Sequence, residues 1–191
     1  TERPDPVRVT ISKERNIAAV SLQANNSILL LDLKDGSVQK IMPLGTVMHL
    51  ADLKRDGHVW LEESFEGHPE PSGLVFSPKG DLLYTANGGS GKNSPNENGV
   101  WSGGRNYTVY DLEKNRLAFD SYDKLEQSAA LVGAYLDSQS EIRGIDPSDA
   151  AIGFVDSTPV LAIASRQANG VFFLTLKDPA NPFYLSLTAS A

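Results

Sequence analysis

The chain has 191 residues, no cysteine, 16 glycines, 11 prolines and a formal net charge of −7. The absence of cysteine excludes a disulfide scaffold, an iron–sulfur cluster, a thiolate zinc site and a cysteine nucleophile. With a pI near 4.9 and no cluster of Lys and Arg, a nucleic-acid surface is excluded too, because phosphate neutralisation needs a basic face.

Short runs rich in Val, Ile, Leu, Phe and Tyr alternate with Gly, Asn, Asp and Pro, the signature of strands and turns. Val7–Ser12 reads as a strand, followed by strands at Ile17–Leu22, Ser27–Leu33 and Ser37–Met42. A second unit runs through Gly73–Ser77, Leu82–Ala86, Tyr107–Leu112 and Arg116–Asp120. A third runs through Ala150–Val155, Val160–Ala164, Val171–Leu176 and Phe183–Thr188. Residues recur as well: Gln23-Ala24-Asn25 matches Gln167-Ala168-Asn169, and Leu31-Asp32-Leu33 matches Tyr110-Asp111-Leu112. Four antiparallel strands per unit, repeated, is the sequence form of a β-propeller blade. A β-sandwich is the alternative, but it gives no reason for internal copies. The expected fold is therefore all-β, a partial propeller with about three four-stranded blades at residues 7–42, 73–120 and 150–188.

Between the blades lie insertions at residues 43–72, 87–106 and 124–149, longer than ordinary strand connections and so candidates for carrying function. The first holds all three histidines, His49, His58 and His68, and six carboxylates. Asp52 to Glu63 scans against the twelve-residue calcium loop, with Asp52 at position 1, Asp56 at 5, Gly57 at the sharp turn, the His58 carbonyl at 7 and Glu63 at 12. Lys54 stands where an oxygen ligand belongs. A calcium ion held by Asp52, Asp56, His58 and Glu63 and a solvated acidic hairpin turn at Asp56-Gly57 are both open readings. Zinc is a further option for the imidazoles, without an i, i+4 helical pair to support it.

The second insertion contains Gly88-Gly89-Ser90-Gly91-Lys92, which fails as a phosphate cradle because Ala86 and Asn93 occupy its required Gly and Ser/Thr positions. Trp101 in the same segment is a candidate for stacking on a ligand or for packing at the rim. The third insertion carries the one expected helix, Leu125–Leu136, and then Asp137, Glu141, Asp146 and Asp149 against the single Arg143. Trp60, His68, Trp101 and Arg143 are the expected ligand or partner residues. Asn25-Asn26-Ser27 and Asn106-Tyr107-Thr108 fit the N-glycosylation triplet.

Four stretches resemble the choice-of-anchor I domain, a bacterial secreted or surface β-propeller family related to the mesenchyme-specific cell-surface glycoproteins of animals. Ile17–Gly45 resembles the family's first repeat, and Lys54-Arg55-Asp56-Gly57 its acidic turn with Lys in place of the first Asp. Phe119–Glu126 is similar to its "F-D-S-G-D-x-x-E" stretch, and Gly170–Leu185 to its closing strand. Glu70-Pro71-Ser72-Gly73 and Asp146-Pro147-Ser148-Asp149 resemble its acidic-Pro approaches to a blade. The resemblance implies an extracellular, cell-surface or periplasmic propeller. Related propellers carry esterase-like, phytase-like or alkaline-phosphatase-like descriptions.

Three functions follow as expectations. The first is a non-catalytic module that binds a protein, polysaccharide or cation through its inter-blade loops. The second is a metal-dependent phosphoesterase in which a metal-bound water attacks phosphorus. The third is a structural subunit. Three blades leave two faces open where closed propellers have four to eight, so the expected partners include the remainder of a longer propeller or a second copy. The sequence starts without an initiator Met or signal peptide, which suggests an excised piece. No membrane span is expected.

Overall fold

The computed structural model describes residues 3–90 and 94–189. Four strands, β1 (Pro6–Ser12), β2 (Ile17–Leu22), β3 (Ser27–Asp32) and β4 (Val38–Pro43), form an antiparallel sheet in chain order, here blade one. Its turns use asparagine in the left-handed conformation, Asn16 at φ 54° and Asn26 at φ 47°, where a short side chain that bonds locally is tolerated. Blade two comprises β7 (Gly73–Phe76), β8 (Leu82–Asn87), β10 (Asn106–Asp111) and β11 (Arg116–Asp120), in the order β7-β8-β10-β11. Blade three comprises β12 (Pro147–Val155), β13 (Thr158–Ser165), β14 (Gly170–Thr175) and β15 (Phe183–Ala189), again in chain order. The architecture is the expected propeller of four-stranded antiparallel blades.

Blade two is the middle layer, and its two faces fill two cores. Leu74, Phe76 and Leu83 pack against Ile17, Ile28 and Leu30 of blade one. Tyr84, Tyr107 and Val109 pack against Leu161, Ile163 and Phe172 of blade three. Each such side chain contributes about 1.5–3 kcal/mol on removal from water. Burial on both faces accounts for strands such as Leu82–Asn87, in which every residue is buried and no polar alternation survives. The first strand of blade two, β7, lies between β1 and β12, so the leading strands of the three blades run side by side along one line.

The first insertion departs from the expectation of a loop. It carries β5 (Val47–Ala51) and β6 (Glu63–His68), which join β9 (Trp101–Ser102) in a three-stranded sheet of order β5-β6-β9. The β6–β9 pair is parallel, with Gly67 opposite Trp101 and His68 opposite Ser102. Local pattern could not reveal it. Glu63-Ser64-Phe65-Glu66-Gly67-His68 has one apolar strand former, Phe65, and gains its partner 34 positions later. The helix α1 (Lys124–Leu131) also ends five residues before the expected Leu136. Gly133, at φ 72°, stops it: the Gly133 amide returns to the Ala130 carbonyl and the Ala134 amide to the Ala129 carbonyl, a Schellman closure. No helix among the described residues is long and apolar enough to cross a membrane.

Candidate functional site

The three insertions converge on one face, and Arg105 ties them together. Arg105 immediately precedes β10 and is buried. Its Nη1 donates to the Asp52 carbonyl at 3.1 Å in the first insertion, and its Nη2 to the Ser140 carbonyl at 2.8 Å in the third. The guanidinium carbon lies 4.9 Å from the Phe65 ring centre and 5.3 Å from that of Trp101, in cation–π range of both. Its charge faces Glu126 of α1 at 3.8 Å.

Glu126 is completely buried, and neither carboxylate oxygen has a hydrogen-bond partner in the structure. Burial raises its pKa above the ordinary value, and the Arg105 charge offsets this only in part. The Tyr135 hydroxyl beside it is also buried without a partner. Room for this cluster depends on Gly144, where a β-carbon would collide with Glu126 Oε1 and approach Arg105 Cδ to 2.9 Å.

Beneath Arg105, blade two carries a buried polar ladder. Asn87 donates to Asn106 Oδ1 at 2.8 Å, Asn106 donates to Asp120 at 2.6 Å, and the Thr85 and Thr108 hydroxyls meet at 2.5 Å. Burial raises the Asp120 pKa against the lowering effect of the Tyr122 amide and the Asn106 side chain. Asn106 is fully buried, so its triplet offers no glycosylation site in the folded chain.

The calcium-loop residues are each held by protein groups. Asp52 is buried, accepting the Ser140 hydroxyl at 2.7 Å on Oδ2 and the Lys54 amide at 3.2 Å on Oδ1. Asp56 Oδ1 accepts the His58 amide at 3.1 Å. Glu63 pairs with the Lys54 ammonium and accepts the Leu53 amide at 3.0 Å, and the Lys54 contact holds its carboxyl below the ordinary range. The loop is fastened to the third insertion by Asp137, whose two oxygens accept the Asp56 and Gly57 amides at 3.3 and 3.2 Å. Among the described residues no group of three or more His, Asp and Glu side chains is gathered as a metal ion would require.

The histidines stand apart. His49 places its ring nitrogens 2.8 Å from the Leu50 carbonyl and 2.9 Å from the Gly104 carbonyl. His68 Nδ1 lies 3.1 Å from Asn26 Nδ2 and 3.2 Å from the Gly45 carbonyl. His58 stacks on Trp60 at 6.4 Å, and Trp60 is 60 % exposed. Trp101 is half-buried against Phe65 and Arg105. Arg143 pairs at 3.4 Å with buried Asp146, which Arg166 also approaches at 3.3 Å.

An open groove between the 52–62 loop and α1 is lined by Val59, Leu61, Gln127, Ala130 and Leu131. Leu131 is 86 % exposed there. The sequence reading missed Arg105, Glu126 and Leu131. The one signal for Arg105 was the Gly103-Gly104 pair before it. The glycines of this segment make a close backbone crossing, where a β-carbon on Gly89 would stand 2.5 Å from the Gly103 nitrogen. Gly91, Lys92 and Asn93 of the cradle-like run lie outside the described residues.

Comparison with known proteins agrees with the fold. Hydrazine synthase of Kuenenia stuttgartiensis superposes with a TM-score of 0.56 at 14% identity, over 100% of this chain and 37% of that one. The Cps50 (Swd1) β-propeller domain of Myceliophteria thermophila gives a TM-score of 0.50 at 11% identity, over 97% of this chain and 40% of that one. The chain thus spans about two-fifths of each, and at these identities the likeness concerns the fold alone. No curated protein matches it in sequence. The choice-of-anchor I domain model matches residues 2–98, half of the chain, and the chain belongs to that family.

Proposed function

We propose that this chain is a non-catalytic propeller module, associated with the cell surface, whose insertion face binds a protein partner. The observation that carries the reading is the apolar groove of Val59, Leu61, Ala130 and Leu131, with Trp60 exposed on the same 52–62 loop. It sits on a platform fixed from below by Arg105 and Asp137. Exposed apolar patches mark protein-interaction sites, and exposed aromatic side chains are favoured anchors there. A rigid platform lowers the ordering cost of association.

The test is retention of the labelled chain on a bacterial cell-surface fraction, wild type against the Trp60→Ala/Leu131→Glu double variant. Both positions are exposed, so the variant keeps its fold. Retention that protease treatment of the fraction abolishes, and that falls about tenfold in the variant, supports the reading. Equal retention of the two proteins overturns it, and retention that survives protease but not glycosidase assigns the groove to a polysaccharide.

A further inference from the structure

The two blade junctions end differently at the outer rim. Between blades two and three the chain fills the gap itself, with α1. The Lys124 ammonium lies 5.1 Å from the centre of the Phe119 ring on β11, and Leu125 and Ser128 share a pocket with Leu174 and Tyr184 of blade three. Leu125 and Ala129 are buried in the same core as Tyr107 and Leu174.

Between blades one and two the gap is open. A groove of about 470 Å³ runs between β4 and β11, the outer strands of these blades. Met42 and Tyr110 line it and belong to the core that the two blades share, with Leu44 packed against that core. Leu117, on the β11 side, is 44 % exposed. The groove therefore offers apolar ground at the place where the neighbouring junction receives the apolar side chains of a helix.

The groove is also basic, in a chain whose net charge is −7. Lys40 of β4 and Arg116 of β11 line it, and no carboxylate does. Lys40 reaches only the Asn115 side-chain oxygen, and the Arg116 guanidinium has no hydrogen bond or ion pair among the described residues. The carboxylates of the adjoining β10–β11 turn face other cations, Asp111 pairing with Lys114 at 3.0 Å and Glu113 with Arg15 of blade one at 3.9 Å. Two cations without a carboxylate thus border an open apolar groove.

We propose that this groove is a docking site for an acidic, amphipathic peptide segment of a partner protein. Large apolar side chains of the segment enter between Met42, Tyr110 and Leu117, as Leu125 of α1 enters the neighbouring rim. Asp or Glu residues beside them meet Lys40 and Arg116, so charge sets the class of segment and apolar contact holds it. A carboxylate can take two parallel bonds from the Arg116 guanidinium. The groove lies between two blades that are both within the chain, so it exists whatever adjoins the free faces of blades one and three. It shares no residue with the groove of Val59 and Leu131, so the two readings stand or fall separately.

The experiment selects short random peptides, displayed on phage, against the immobilised chain and measures the enriched peptides by fluorescence anisotropy. Peptides with Leu, Ile or Phe flanked by Asp or Glu are expected, binding more weakly as salt rises. Affinity falls about tenfold or more in Lys40→Glu/Arg116→Glu and in Leu117→Asp, and is unchanged in Trp60→Ala/Leu131→Glu. Circular dichroism checks the folds, and Arg116→Glu alone, at an exposed position, tests the charge where Lys40→Glu disturbs packing. Exchanging the acids of a peptide for Lys restores its binding to the charge-reversed variant. A selection that enriches nothing, peptides without an acidic bias, or equal affinity for wild type and the groove variants overturns the proposal. So does binding to phosphatidylglycerol vesicles that Lys40→Glu/Arg116→Glu abolishes while no peptide is enriched, since that assigns the groove to a membrane surface.

Discussion

Arg8 on β1 and Asp149 on β12 form an ion pair that joins blade one directly to blade three, with Arg8 Nε 3.0 Å from Asp149 Oδ1. The pair passes over Gly73 at the head of β7, where a β-carbon would stand 2.6 Å from Asp149 Cα. Both side chains are about two-fifths exposed, so solvent screens the charge. Arg8→Ala is expected to cost about 0.5–1 kcal/mol. Gly73→Ala, which meets backbone that cannot yield, costs roughly 1–3 kcal/mol. Denaturant titration of the two variants checks the order. A larger loss for Arg8→Ala would mean that charge, not close approach, holds the three leading strands together.

Removing Arg105 leaves the Glu126 carboxylate buried without its cation. Loss of one partner of a buried pair costs about 3–5 kcal/mol, and Arg105→Ala is expected in that range by urea unfolding. Arg105→Lys recovers little, since one ammonium cannot span the Asp52 and Ser140 carbonyls or lie flat between Phe65 and Trp101.

Glu126 also sets a pH dependence. Its pKa in the folded chain lies above the ordinary 4.5, because burial outweighs the Arg105 charge. Between the ordinary value and the raised one the folded chain binds more protons than the unfolded chain, so the contribution of Glu126 to stability falls as pH rises through that window. The Tm of wild type is therefore expected to drop relative to that of Glu126→Gln as pH increases from about 4 to about 7. Parallel curves would show that burial is not the dominant influence on this group.

Lys54 puts a positive charge against Glu63, in a loop whose spacing suits a cation ligated by oxygens. Lys54→Asp releases Glu63 and adds a carboxylate at the position where the calcium loop has one. Calcium is expected to raise the Tm of Lys54→Asp and to leave that of wild type unchanged, as read by thermal melts with and without the ion. A rise in the wild type would assign a cation to the loop as it stands.

The propeller is legible in the sequence because a four-stranded blade is local: strands such as Ile17–Leu22 and Ser27–Asp32 pair with their chain neighbours, and their turns announce themselves through Asn and Gly. The insertion face is not legible, for the opposite reason. Phe65 is a single apolar residue in a polar run, Trp101 belongs to a strand of two residues, and Glu126 sits in a helix where a glutamate ordinarily faces water. Their meaning comes from Arg105, which brings together Asp52 and Ser140, 88 positions apart, and no local pattern encodes such a meeting. The acidic loop shows a related limit. Its ligand spacing is present, yet the structure engages Asp52, Asp56 and Glu63 with a hydroxyl, amides and an ammonium.

The parallel pairing of β6 with β9 has a kinetic consequence. Blades one and three can form from consecutive hairpins, whereas Gly67 and Trp101 must meet across 34 positions that include β7 and β8. The insertion sheet is then the last layer to assemble and, having only a two-residue ladder at that seam, the first to open. Amide exchange should follow the same sequence, with protons on β6 lost well before those on the fully buried β8.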